Sequence, residues 1–399
     1  MSKMLIISAV FPPEPVVSAL LSHDLAEELS TKKDVVVICP TPSRPKGFFF
    51  DKIFEPKNYK VIRLKSYSCP SSRIIGRFYE SYSFGKSCTK YIRENKHNIK
   101  CIYINSWPLL SQYLIVRAAK RYNLPCVLHV QDIYPESLIN KIPIGKSIIL
   151  KILLPIDKYS LKYSKSVIAI SENMKQSLSK TREIMLNKIA VVSNWQDEEA
   201  FISFNNLKTK NEKDLNSELT FMYLGNNGPL AGVDFLIMSF VKANIKYSKL
   251  IIAGSGSRTN ACKDLAKSFE KFNIEFIDVP HGMVPVIQDK ADIMLLPVKK
   301  NGAMSSIPSK LPAYMFSGKP IIGSLDLESD TAKAIKESGC GIVVEPENEN
   351  ELIKAMNATA LWTNKDREEK GNLGFEYALT NFSKKENLKK IISVIESVI

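Results

Sequence analysis

The residues best suited to chemistry in this 399-residue chain fall in two short segments. In GAMSSIPSKLPAYMFSGKPIIGS (302–324), Pro308 and Ser309 precede a helix-patterned run whose first turn carries Lys310. Free backbone N–H groups, the helix dipole and a cation would converge there on an anion, for which a phosphate is the natural guest. The plainer alternative is a capping serine beside a solvated lysine. The strand-like GKPIIGS and the helix start LESD (327–330) follow closely and give the triplet a folded context. In HVQDIYPES (129–137), period-two alternation sends His129 and Gln131 to one face of a strand and Val130 and Asp132 to the other. Asp132 stands at the strand end, ahead of Pro135 and Glu136, either as a proton acceptor or as a cap of the turn. His129 reads as a buried, hydrogen-bonded strand residue.

Several chemistries are excluded by what the chain lacks. No GxGxxG follows the first strand, which argues against a nicotinamide-dependent dehydrogenase or epimerase. No RNP, helix-turn-helix, zinc or KH signature supports nucleic-acid binding. The seven cysteines are odd in number and scattered without a CxxC pair, so neither a disulfide framework nor a zinc site is expected, and a reducing cytosol fits. No acidic pair with metal-ligand spacing appears, and no obligatory Mg²⁺ is expected. Lys3 and the apolar run 4–10 could imitate a signal peptide, but Pro12, Pro13 and Glu14 cut the run short, and it reads as a first buried strand. No apolar stretch approaches the roughly 20 residues that span a bilayer.

The elements that must position these segments alternate along the chain. Strands are expected at 4–10, 34–40, 61–64, 99–105, 125–130, 166–171 and 188–193, with a helix over 18–30 that spaces Leu20, Leu21, Leu25 and Leu29 along one side. The polar stretch 204–219 reads as a connection. Alternation then restarts, with strands at 219–225, 248–256, 274–279, 291–297, 319–324 and 340–345 and helices at 233–244, 259–272 and 309–317. Continuously apolar strands imply parallel sheets covered on both faces. The fold class is α/β, with two Rossmann-like doubly wound parallel-sheet domains facing a central cleft. The boundaries expected are 1–203, 204–375 and a C-terminal helix 376–399 that packs back on the N-terminal domain, with Leu388, Ile391, Ile392, Ile395 and Val398 on one side.

Charge is uneven. Of 55 Lys+Arg and 41 Asp+Glu, residues 1–200 hold 30 and 17, which leaves the remainder nearly neutral. Such asymmetry suggests that one half faces a polyanion, and a generically basic, Lys-rich proteome is the alternative, against which the near-neutral second half argues. Residues 51–100 carry 12 Lys+Arg against 4 Asp+Glu among many aromatics, and 143–166 mixes Ile and Leu with Lys146, Lys151, Lys158, Lys162 and Lys165. Both stretches suit a surface lying on an anionic bilayer, and a core helix with solvated lysines is the alternative.

The blocks FPPEPVVSALLSHDLAEEL (11–29), QDIYPES (131–137), VIAISENM (167–174), VVSNWQDEEAF (191–201), YLGNNGPLAGVDFLI (223–237) and IIAGSGSR (251–258), with the PSK segment and the S-acid-x-A that follows it, occur in an order that resembles the family 4 retaining glycosyltransferases of GT-B fold. The branch they are most similar to is the bacterial O-antigen and exopolysaccharide transferases, of N-acetylfucosaminyl and colanic-acid type. The resemblance implies a nucleotide-sugar donor in the second domain, held by Gly225, Asn226, Gly254, Gly256, Arg258, His281, Ser309 and Lys310. Ser18 would stand in for the family's N-terminal glycines, which are Val16 and Val17 here. Two glutamates of the family pattern are Ser305 and Ala313 in this chain, so Asp330 is the acid left either to meet the donor ribose or to cap its helix. The acceptor would lie in the first domain against Asp132, which orients or deprotonates its hydroxyl, with Glu136 secondary. Asn194 and Trp195 match an element near the hinge.

The implied reaction moves a sugar, N-acetylated or deoxy and UDP-linked, onto a hydroxyl of a polyprenyl-diphosphate-linked saccharide in surface polysaccharide synthesis. Retention would follow front-face departure and attack, with Lys310 stabilising the leaving diphosphate. The implied location is the cytoplasmic face of the plasma membrane, held peripherally. A non-catalytic nucleotide-sugar-binding subunit is the alternative, because the glutamates and glycines are substituted.

Overall fold

The computed structural model of the chain describes residues 2–44, 50, 54–69, 73–106, 108–139, 145–207, 218–280, 282–300, 302–303 and 307–399. Two compact units emerge: Met1–Asn194 with Asn387–Ile399, and Trp195–Glu386.

The first unit contains β1 (Lys3–Ser8), β2 (Val35–Pro40), β3 (Lys60–Leu64), β4 (Ile99–Ser106), β5 (Cys126–Val130), β6 (Ser166–Ala169) and β7 (Ile189–Val191). Its helices are α1 (Val17–Ser30), α2 (Ile74–Asn95), α3 (Leu109–Arg121), α4 (Glu136–Ile139), α5 (Lys146–Tyr163) and α6 (Glu172–Arg182). The strands form one sheet in the order β3-β2-β1-β4-β5-β6-β7, every pair parallel. Helices cover both faces, so Ile6, Val37, Ile102 and Leu128 are sealed from solvent and the central strands are apolar without alternation. On α1, Leu21, Leu25 and Leu29 point inward, whereas Leu20 is exposed. Helix α3 packs between α2 and α5.

The second unit contains β8 (Leu219–Leu224), β9 (Ser248–Ala253), β10 (Asn273–Ile277), β11 (Ile293–Pro297), β12 (Ile321–Ser324) and β13 (Gly341–Val344). Its helices are α7 (Glu199–Leu207), α8 (Val233–Ala243), α9 (Thr259–Lys267), α10 (Val284–Gln288), α11 (Lys310–Phe316), α12 (Asp330–Ser338), α13 (Glu349–Ala360) and α14 (Asn364–Asn381), and α15 (Lys384–Glu396) follows them. The sheet order is β10-β9-β8-β11-β12-β13, again all parallel.

Two boundaries differ from the sequence expectation. The first break falls at Asn194, not at 203, because Phe201 of α7 is buried in the second core with its ring 6.0 Å from that of Phe316. The tail is not one helical segment from 376. Phe382 is buried in the second core, and the Glu198 carboxylate accepts from Ser383 Oγ (2.5 Å) and the Lys384 amide (2.7 Å), which keeps the chain with the second unit up to Glu386. From Asn387 it belongs to the first unit, where Lys33 pairs with Glu396.

Candidate functional site

The second sheet changes its direction of winding between β8 and β11, and the carboxyl ends of strands flanking such a point leave a crevice in a doubly wound fold. Gly225 follows β8 there, zipped to the loop after β9. Gly225 N donates to Ala253 O (2.9 Å), Asn227 N to Ser255 O (3.0 Å) and Arg258 N to Asn227 O (2.9 Å). This contact requires glycine: a Cβ on Gly254, whose φ is +102°, would lie 2.5 Å from Gly225 O. Helix α11 is anchored to the same strand end by Tyr314, whose hydroxyl accepts from Leu224 N and donates to Leu224 O, both at 2.8 Å. That anchor lays Lys310 across Gly225, where an added Cβ would collide with its side-chain carbons. The ammonium stands 5.0 Å from the centre of the Tyr223 ring, and the Tyr223 hydroxyl donates to Asn226 O at 2.7 Å. Among the described residues no carboxylate pairs with Lys310. Burial pushes its pKa below the ordinary lysine value, because the charged form is desolvated without compensation.

Other expected donor residues take varied places. Ser309 is exposed at the N-cap position in helical conformation and makes no capping bond, so the capping alternative does not describe it. Helix α11 has only seven residues, and the cation is therefore the main attraction for an anion here. Arg258 gives its backbone amide to the zipped loops, but its guanidinium meets Asp234 at 3.3 Å. An exposed pair of this kind is weak and does not by itself take Arg258 out of reach of an anion. Asp330 is not the cap of α12: Ser329 accepts from Ala332 N at 3.1 Å, and Asp330 opens the helix behind it. Ala313 is buried on α11. His281 and Ser305 lie outside the described residues.

In the first sheet the corresponding switch falls between β1 and β4. Ser8, Asn105 and His129 stand in register at the carboxyl ends of β1, β4 and β5 and form a buried polar row. Asn105 Nδ2 donates to Ser22 Oγ (2.8 Å) and to Ser18 O (3.2 Å), which holds the start of α1. Ser18 itself is half-exposed in the first turn of that helix. His129 bonds the Tyr103 hydroxyl through Nδ1 at 2.5 Å, and complete burial drives its pKa down to about 3, so it is neutral. Asp132 is half-exposed on the irregular segment beyond β5. Glu136 is corrected as an acceptor ligand: both its oxygens accept from Arg182, at 2.5 and 2.7 Å.

Two family models match the chain: Glycosyltransferase Family 4 over residues 20–200 and Glycosyl transferases group 1 over residues 218–360. The protein is a glycosyltransferase. Its full length is also similar in fold to solved structures. Sucrose-phosphate synthase from Thermosynechococcus elongatus is 14% identical with a TM-score of 0.73, covering 100% of this chain and 99% of the other. A glycosyltransferase from Rickettsia africae is 17% identical with a TM-score of 0.69, covering 100% and 98%. Alr3699/HepE of Anabaena in complex with UDP is 13% identical with a TM-score of 0.69, covering 99% and 100%. No curated protein sequence matches the chain. The two Rossmann-like units are those of a GT-B transferase, as the resemblance implied.

Sequence reasoning missed the residues that build this glycosyltransferase's sites from behind. Tyr223 and Tyr314 read as ordinary strand and helix residues. Glu14, in the PPEP block, is buried and accepts from the backbone amides of Ser43 (2.9 Å) and Arg44 (3.0 Å), which ties the loop after β1 to the loop after β2. A carboxylate between prolines was the only available signal. Arg182 had no signal at all.

Proposed function

We propose that this glycosyltransferase uses a nucleotide diphosphate sugar, with a UDP-linked N-acetylated or deoxy sugar as the first candidate, and retains the anomeric configuration. The observation that carries the donor reading is Lys310, a desolvated cation without a described counter-ion, held by Tyr314 over glycine-lined loops. A departing diphosphate supplies the missing negative charge, and its growth in the transition state is what the ammonium stabilises. HepE, solved with UDP and with UDP-glucose, supports a uridine donor. Asp132 receives the acceptor proton, and Gly225, Asn226, Gly254, Gly256 and Ser309 line the donor. No metal is required in this reading. Thermal shift with UDP-, GDP-, ADP- and dTDP-sugars should single out the UDP series, since a ligand that binds the native state raises its stability. No shift with any of them overturns the donor assignment. Asp132→Asn should lower transfer by about 10²- to 10⁴-fold with UDP affinity kept, and an inverted product anomer in NMR would exclude retention.

The acceptor reading is a polyprenyl-diphosphate-linked saccharide reached from the cytoplasmic face of an anionic membrane, in surface polysaccharide synthesis of the bacterial O-antigen type. Helices α2 and α5 flank α3 and expose Ile75 (84%), Tyr79, Tyr82, Ile148 (66%) and Ile152 (62%) beside Arg73, Lys86, Lys146 and Lys151. Exposed aliphatic and tyrosine side chains with a basic surround suit shallow insertion among anionic headgroups. Among the described residues no helix is long and apolar enough to cross a membrane. The triple change Lys151→Glu, Lys158→Glu, Lys162→Glu should abolish flotation with vesicles containing phosphatidylglycerol; unchanged flotation counts against the surface.

A further inference from the structure

Arg182 ends α6 with its side chain fully buried, and every one of its five N–H donors has an acceptor. Nε donates to Asp157 Oδ2 (2.8 Å), Nη1 to Glu136 Oε1 (2.5 Å) and Thr181 Oγ1 (2.7 Å), and Nη2 to Glu136 Oε2 (2.7 Å) and Tyr134 O (2.9 Å). Asp157 also accepts from Gln112 Nε2 at 3.5 Å. One guanidinium therefore joins the turn Tyr134–Glu136 to α3, α5 and α6. The turn's own backbone bonds, Ser137 N to Ile133 O and Leu138 N to Pro135 O (both 3.0 Å), close it on itself but do not join it to the helices behind. Between β5 and α4 the backbone is irregular, with no sheet ladder to fix it, and Asp132 sits two residues before the first bonded carbonyl.

We infer that Arg182 is a positioning residue for the acceptor half of the reaction: its fork fixes the 134–136 turn, and with it Asp132, against α5. This rests on the reading of Asp132 as the group that receives the acceptor proton. The planar fork sets distance and angle together at the Glu136 carboxylate, which a lysine at the same place cannot do. Asp157 serves as the fixed post on α5, since it is nearly sealed from solvent and bonds the same guanidinium. Tyr134 contributes its carbonyl to the clamp and lines a pocket with Arg77, Phe78 and Ser81 of α2 and Pro108 and Leu109, so the turn that the clamp fixes also forms one wall of a cavity. Displacing a catalytic carboxylate by about 1 Å can cost about 100-fold in rate, so a clamp behind it has functional weight without touching substrate.

The test uses the full chain carrying Arg182→Lys, with Glu136→Gln as a milder second variant that keeps an acceptor oxygen. Hydrogen exchange should rise about tenfold or more across 131–139 while β5 (126–130) and α3 stay within about twofold of wild type. With UDP-N-acetylglucosamine and undecaprenyl-diphosphate-linked N-acetylglucosamine as the probe pair, the acceptor KM should rise about tenfold and the donor KM stay within about twofold, a split that a general loss of stability would not produce. Unchanged exchange at 131–139, a rise shared equally by β5 and α3, or equal changes in both KM values overturns the positioning role. Wild-type protein that does not turn over this pair counts against the transfer reading, and the exchange pattern then decides on Arg182 by itself.

Discussion

Divided at its structural boundaries, the chain has 32 Lys+Arg against 15 Asp+Glu in the first unit and 23 against 26 in the second. Buried charge runs the other way. The strongly basic unit buries an arginine with two carboxylates and every donor satisfied, whereas the slightly acidic unit half-buries a lysine that no described carboxylate meets. On the proposed function, the surface charge of the first unit is where a large polyanion is met, and the missing counter-ion in the second is where a small one binds. The difference also separates two ways of holding a site. The first unit fixes its segment with a polar network; the second brings loops together by removing side chains, so that backbone meets backbone.

Lys310→Ala should break the comparison most severely, because it removes the one cation on which the donor reading depends. We expect transfer to fall by about 10²- to 10³-fold, the size seen when a single preorganised charge-stabilising group is lost. Lys310→Arg should recover only part of it, since a planar, delocalised guanidinium does not put its charge where the compact ammonium does. The pKa of Lys310 lies below the ordinary lysine value, so UDP affinity should weaken as pH rises through it, and titration calorimetry should register proton uptake on binding. Affinity that is flat across alkaline pH would remove Lys310 from the donor site.

Gly254→Ala tests the second unit's way of building. The left-handed backbone at φ +102° and the 2.5 Å approach to Gly225 O both oppose a side chain, and the cost should be about 2–3 kcal/mol. Exchange should rise in β8 and β9 and not in β5. A variant as stable as wild type would mean that the zipped loops are not close-packed, and the contrast between the units would weaken.

Much of the fold was legible because buried parallel strands leave continuous apolar runs, and most of the expected strands fall within two residues of β1 to β13. Helix α14 was not legible. It buries Gly371 and Gly374 against the Gly318 backbone and Cys340 and adds Ala378, so the most buried positions of its contact face are small residues that give little apolar period, although Phe375 also packs on Phe316. Helix α2 was read as part of a basic, aromatic surface stretch, and it does expose Ile75, Tyr79 and Tyr82. At the site, the glycine turns and Lys310 could be placed from motifs, because each motif is local in sequence. Glu136 was misjudged for the opposite reason. Its partner is 46 residues away, and a carboxylate at a helix start looks the same in sequence whether it faces solvent or a buried guanidinium.

The smallest expected effect concerns His129 and sharpens the contrast from the side of the first unit. Its folded pKa of about 3 lies below the ordinary 6.5, so between those values the unfolded chain takes up a proton that the folded chain refuses. The stability this lends is present above pH 6.5 and is lost as pH falls, by about 2 kcal/mol between pH 6.5 and 5. Asp157 works against it. Burial lifts its carboxyl to about 6 despite Arg182, so the penalty of keeping it ionised is relieved on acidification. Both groups act in wild type, but only Asp157 remains in His129→Gln. Exchange of the β5 amides, followed from pH 7 to pH 5 and corrected for the intrinsic rate, should therefore accelerate in wild type and change less, or reverse, in the variant. Equal pH dependence in the two proteins would show that the imidazole is not held neutral by its burial against Tyr103, and that the polar row beneath Ser18 and Asp132 is open to water.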